Sequence, residues 1–220
     1  MKYIILFIIG ILLGAGLIYG YSRAFKQRQS QPAQKLISMP TPTISFSIEP
    51  APSHSLKGII AAHSGDILWE SRIATEPSKL ADLVPIQQGE RLVTQETGSA
   101  TVLFNGVGIM KLSQNADVSF IQTLPVDFVI EQSKGIVLYT VNGTIPVSIR
   151  IRSGLITKKS GSIQIAMKDN DPTIIITTIQ GTAHIGFNDL AYVSQVFTLH
   201  EGQVYEYNSD ERTAINIKNK

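Results

Sequence analysis

The chain of 220 residues has no cysteine, a single tryptophan and few charges: Asp, Glu, Lys and Arg make up 16% of it, with a formal net charge of +2. The lack of cysteine excludes disulfides, thiolate catalysis and cysteine zinc sites together. It does not identify a compartment, because an exported domain of this size can stabilise itself by burial alone. So sparse and balanced a charge leaves no footprint for nucleic acid. His54, His63, His184 and His200 stand far apart, with no spacing that suits a metal. Asp169-Asn170-Asp171-Pro172 gathers oxygen ligands but lacks the glycine and distal glutamate of a calcium loop, and reads as turn chemistry. Serines are abundant, yet no Gly-x-Ser-x-Gly elbow accompanies them. These absences describe a protein that is not an enzyme, with no cofactor, no metal and no identified small-molecule substrate.

What is present begins with an apolar run at residues 3–21. Tyr3, Ile4, Ile5, Leu6, Phe7, Ile8, Ile9, Ile11, Leu12, Leu13, Leu17, Ile18, Tyr19 and Tyr21 carry it, between Lys2 and the cluster Arg23, Lys26 and Arg28. At about 1.5 Å per residue a helix over this run is just long enough for a hydrocarbon core of roughly 30 Å. The expectation is a transmembrane anchor over residues 1–21 in contact with membrane lipid, with Tyr19 and Tyr21 at the interface. Ser22-Arg23-Ala24 also offers the small residues of a cleavage site, which leaves a removed signal peptide as the alternative. The basic residues after the run favour a cytoplasmic body, but a long domain translocates largely regardless of charge. The body is therefore read as extracytoplasmic.

Residues 22–55 are rich in Gln, Ser, Thr and Pro, with Pro32, Pro40, Pro42, Pro50 and Pro52 spread through them. They lack the periodic apolar face that would offset the entropy of ordering and read as a disordered tether. Residues 56–217 are one domain's worth of chain, followed by a tail at 218–220. Here the period is two. Val147, Ile149 and Ile151 alternate with Ser148, Arg150 and Arg152, and Ile163, Ile165 and Met167 repeat the pattern. Ile174-Ile175-Ile176 predicts a strand covered on both faces. Asn105-Gly106 between two apolar runs predicts a hairpin whose tight turn takes positive φ at both residues. Pro77 to Val84, with Leu80 and Leu83 on one side, predicts one short helix. Lys158-Lys159 reads as a solvated hairpin tip. Gly89, Gly135, Gly181 and Gly202 each separate apolar pairs and predict sheet corners. The fold class expected is all-β, with stacked antiparallel strands arranged as a sandwich or as short solenoid-like coils.

At these glycines the chain resembles the FecR domain. Val84-Pro85-Ile86-Gln87-Gln88-Gly89-Glu90-Arg91-Leu92-Val93-Thr94, then Gly98 to Val107 and Ile109-Met110-Lys111-Leu112, follow the family's sequence of Gly-strand steps. Lys134-Gly135-Ile136-Val137, Ile151-Arg152-Ser153-Gly154 and Ile179-Gln180-Gly181-Thr182-Ala183 continue it more loosely, so that the resemblance covers roughly residues 61–207. It implies an extracytoplasmic β domain of the kind carried by membrane regulators that signal to an alternative sigma factor. Those regulators place a cytoplasmic sigma-binding module ahead of their span, where this sequence has Met1 and Lys2. The expectation is a non-catalytic binding or sensor domain in envelope signal transduction, with a protein or cell-wall partner. The alternative is a structural envelope protein that contacts wall polymer or assembles with itself. Trp69, Tyr205 and Tyr207 are the aromatic candidates for partner contact, against the plainer reading of core or sheet cover.

Overall fold

A computed structural model describes residues 51–80 and 83–217. The apolar run at 3–21, most of the expected tether and the tail at 218–220 lie outside them. The described residues form an all-β body of sixteen strands. In chain order these are β1 (Gly58–Ser64), β2 (Ile67–Glu70), β3 (Ser78–Lys79), β4 (Arg91–Thr94), β5 (Ser99–Phe104), β6 (Gly108–Leu112), β7 (Asp117–Leu124), β8 (Asp127–Val141), β9 (Val147–Ile151), β10 (Gly154–Lys158), β11 (Gly161–Met167), β12 (Thr173–Gln180), β13 (Ala183–Asn188), β14 (Ser194–Leu199), β15 (Val204–Asn208) and β16 (Thr213–Asn216).

Two layers share one strand. The first runs β1-β5-β6-β8-β11-β12-β15-β16 and the second β3-β2-β4-β7-β8-β9-β10-β13-β14. Neighbours are antiparallel throughout, except that β9 lies parallel to β8. Neither layer closes into a barrel. The inner faces meet through aromatic rings: Phe104 of β5 lies 5.4 Å from Phe120 and 4.9 Å from Phe128 in the opposite layer, and Phe187 of β13 lies 4.9 Å from Tyr207 of β15. The alternation of apolar residues is what makes this possible, since every second side chain of a strand faces the same layer.

The shared strand changes face midway. Phe128, Ile130 and Gln132 are buried in its first half and Val137, Tyr139 and Val141 in its second, so burial moves from even to odd positions. One extra residue in the bend accomplishes this, because a shift of one reverses every side chain. The bend contains Gly135, at φ 84°, whose missing side chain is required sterically: a Cβ there would lie 2.3 Å from the Cα of Ala116. Gln132 seals the corner from inside. Its amide donates to the carbonyls of Gly135 (3.0 Å) and Ile165 (3.2 Å), while its Oε1 accepts from the hydroxyl of Tyr139 at 3.0 Å. Burial holds that phenol well above its ordinary range.

Four local expectations need correction. Pro77 to Val84 contributes no helix among the described residues, for Ser78 and Lys79 pair with Trp69 and Leu68 as β3. Tertiary pairing overrides the weak local preference of so short a segment. Ile175 is only partly buried between the buried Ile174 and Ile176, so β12 is covered on one face and not two. At Asn105-Gly106 only Gly106 has positive φ (79°), and the amide of Val107 closes the turn on the Phe104 carbonyl at 3.1 Å. The loop therefore has three residues, with Phe104 opposite Gly108. Lys158 is not a solvated tip. It is fully buried, and its Nζ donates to the carbonyls of Gln180 (2.5 Å) and Thr182 (3.3 Å), tying β10 to the corner between β12 and β13. Desolvation lowers its pKa, and the Glu201 charge opposes that shift.

Candidate functional site

The outer face of the second layer carries a shallow, open depression of about 720 Å³ over β9, β10, β13 and β14. Its floor follows from strand register. Glu131 lies opposite Arg150, Arg150 opposite Leu155, Leu155 opposite Gly186, and Gly186 opposite Val196. These five form one row across five strands, with the two charges, Glu131 and Arg150, at one end and Leu155, Gly186 and Val196 at the other, and its last four residues line the depression. Gly186 interrupts it without any backbone reason, because its φ is not positive and a Cβ would meet nothing nearer than the Gln195 carbonyl at 3.9 Å. A glycine inside a strand weakens it by about 0.5–1 kcal/mol relative to alanine, and where no turn or clash demands it the consequence is open space on the sheet surface. The notch it leaves is flanked by Leu155 (41% exposed) and Val196 (71% exposed).

Charge is arranged around the notch by pairing. The exposed Arg150 guanidinium lies 3.8 Å from the Glu131 carboxylate, an open contact that water screens. Arg152 is engaged elsewhere: it donates to the carbonyls of Asp171 and Lys168 (2.8 Å for the latter) and to the Ser209 hydroxyl. Arg150 is thus the cation presented over the floor.

The loop between β13 and β14 forms a rim. Asp189 organises it by accepting from the amides of Ala191 and Val193 and from the Gln195 side chain, each at 2.9 Å. The Gln195 bond, followed by those amides, holds its carboxyl below the ordinary carboxylate range. So braced, the loop exposes Leu190, Tyr192 and Val193, with Tyr192 82% exposed. Apolar side chains clustered on a surface, bordering a depression, are the physical signature of a contact site.

The aromatic candidates fall elsewhere. Trp69 on β2 is half-buried and its indole donates to Glu90 Oε2 at 3.1 Å, an atom that also accepts from the Gln87 amide at 2.8 Å. Burial raises the pKa of Glu90, while the Gln87 amide, Trp69 and the Arg72 charge oppose the shift. Tyr205 and Tyr207 do share a strand face, and it is the inner one. Tyr207 is fully buried, with its hydroxyl 2.7 Å from that of Ser153, and Tyr205 packs 6.5 Å from Phe197. Tyr207 therefore offers no partner contact, and the three aromatics form no common surface. Gly89 (φ 83°), Gly181 (φ 74°) and Gly202 (φ 78°) lie at bends, with Gly106 and Gly135 as described. Among the described residues no three His, Asp or Glu side chains come together. The concave row was missed in the sequence because Gly186 resembles the corner glycines, and only its unremarkable φ and its place in the register tell it apart.

Among the described residues the fold is an open two-layer β domain with a concave outer face over β9, β10, β13 and β14. No family model and no curated protein matches the chain. Two crystal structures of a candidate anti-sigma factor from Parabacteroides distasonis are similar to it at 12% identity and a TM-score of 0.49 each. In each case the match spans 57% of this chain and 58% of the other, so the chain matches little more than half of that protein.

Proposed function

We propose that the chain is a non-catalytic binding module, held at a membrane by residues 1–21 and displayed outside the cytoplasm on the 22–55 tether, where it takes part in envelope signalling. The apolar run at 3–21 supports the anchor, and the resemblance of residues 61–207 to the FecR domain supports the signalling context. The observation that carries the binding reading is Gly186, a strand glycine whose lost side chain serves the surface and not the backbone. A partner segment bearing an apolar group fits between Leu155 and Val196, and an acidic group beside it meets Arg150. A tether of about 34 residues confines such a contact to a layer some tens of ångströms deep, which raises effective concentration and lets a weak contact suffice.

The test separates folding from binding. Gly186→Val places a β-branched side chain in open space on a strand, so the variant should melt at or above the wild-type temperature. With a photocrosslinker at Leu155 in native membranes, the wild type should yield a discrete adduct that Gly186→Val loses, and a probe at Lys111 in the other layer should yield none. An adduct unchanged by Gly186→Val would remove the concave face from the reading.

A further inference from the structure

Among the described residues each layer ends in two strands that pair with a single other strand, and three of these four edges are protected against further pairing, β1 in part by the bridge between Gly58 and Ile86. A free edge exposes a row of amides and carbonyls that templates another strand, which short length, charge or a bulge prevents. β1 carries a register shift between Ile60 and Ala62. β3 is two residues long and includes Lys79, paired with Asp66. β16 has only four residues and directly follows Arg212. β14 has none of these devices. Its six residues, Ser194-Gln195-Val196-Phe197-Thr198-Leu199, contain no charge and no proline, pair with β13 without a shift, and hold Val196 71% exposed.

We infer that β14 pairs antiparallel with β14 of a second copy of this chain about a two-fold axis through Val196. The inference deepens the binding reading by naming the partner of the rim, and it rests on that reading only in taking this side of the molecule as the working side. The occupant follows from charge. On a two-fold axis a strand meets its own sequence reversed, so any charged residue near the centre confronts its like, and like charges directly opposite are destabilising. β14 is uncharged along its whole length. Register follows from burial: with Val196 opposite Val196, Ser194 faces Thr198 and Gln195 faces Phe197, which keeps the exposed residues on the outer face and the half-buried ones on the inner face. The same arrangement brings the β13–β14 loop of one copy alongside the Leu199 end of the other, covering Leu190 and Tyr192. The two concave faces then flank the axis on one continuous sheet.

The absence of native cysteine makes the test direct. Residues directly opposite in an antiparallel pair have Cα atoms about 4.5–5.5 Å apart, within disulfide reach. In the full chain, Val196→Cys should therefore form a disulfide-linked dimer on mild oxidation. Ser194→Cys and Thr198→Cys should crosslink with each other when mixed and poorly when each is alone, and Ile215→Cys on β16 should remain monomeric. Val196→Lys, at an exposed position, should leave the melting temperature of the monomer, read at high dilution, unchanged and raise the dimer Kd by about tenfold or more. A Val196→Cys chain that stays monomeric, or that links to a different protein, would overturn the inference and leave the Leu155 adduct as a separate result. Equal self-linking by Ser194→Cys alone would overturn the register.

Discussion

Replacing Gly135 by alanine tests how β8 passes between layers. The new Cβ would lie 2.3 Å from Ala116 Cα, 2.6 Å from the Asn115 carbonyl and 2.7 Å from Ala116 Cβ. Two of these atoms are backbone, so no rotamer change relieves the clash, and overpacking of this kind costs about 1–3 kcal/mol. Positive φ adds roughly 1–2 kcal/mol for a residue with a side chain, while the stiffer unfolded chain returns about 0.4–1 kcal/mol. The net loss is about 1–4.6 kcal/mol. For a domain of this size that lowers the melting temperature by roughly 2–18 °C. Gly106→Ala is the control: its φ is 79°, but its Cβ would meet only Ile145 Cδ1 at 3.6 Å. Strain without a clash should cost about 0–1.6 kcal/mol, less than the Gly135 variant by the overpacking contribution. Urea unfolding of the 47–220 unit, followed by the fluorescence of Trp69, reads both variants. Equal losses would refute the argument, for they would show that close approach to Ala116 contributes nothing.

Two further variants probe the buried polar groups. Tyr139→Phe leaves Gln132 Oε1 without its hydroxyl donor in a site closed to water, and should cost about 1–3 kcal/mol in the same assay; a neutral result would mean that the corner does not depend on this bond. Glu90 gives a pH dependence. Burial raises its folded-state pKa above the ordinary 4.5, so the folded protein holds the proton more tightly than the unfolded chain. The stability this provides is fully present below about pH 4.5 and is lost as pH rises through the folded value. Glu90→Gln has no such slope, so its stability relative to wild type should improve between pH 4 and 7, and a constant difference would refute the assignment.

The strands were legible in the sequence wherever one face is buried and the other wet. Val147, Ile149 and Ile151 announce β9 because their neighbours Ser148, Arg150 and Arg152 cannot be buried cheaply. The pattern of Ile174-Ile175-Ile176 misled, since the outer face of a sheet tolerates a half-exposed isoleucine as readily as a covered one. Lys158 misled for a different reason. Nothing local marks a lysine as buried when its partners are carbonyls of Gln180 and Thr182, far along the chain. The concave site was hidden likewise, for Glu131, Arg150, Leu155, Gly186 and Val196 become a row only through pairing between strands. The aromatic residues drew attention because they are large, yet Tyr207 serves the core.

The passage of β8 through both layers has a consequence for how the molecule comes apart. Its first half is hydrogen-bonded between β7 and β9, and its second half between β6 and β11. Neither layer can lose its central strand without disturbing the other, so the body has no internal seam along which half of it could open alone. Amides in the middle of β6, β9 and β11 are consequently expected to exchange with solvent through one shared opening reaction, although they belong to different layers. A pull on one layer is carried to the other along a covalent backbone instead of across a slippery apolar interface.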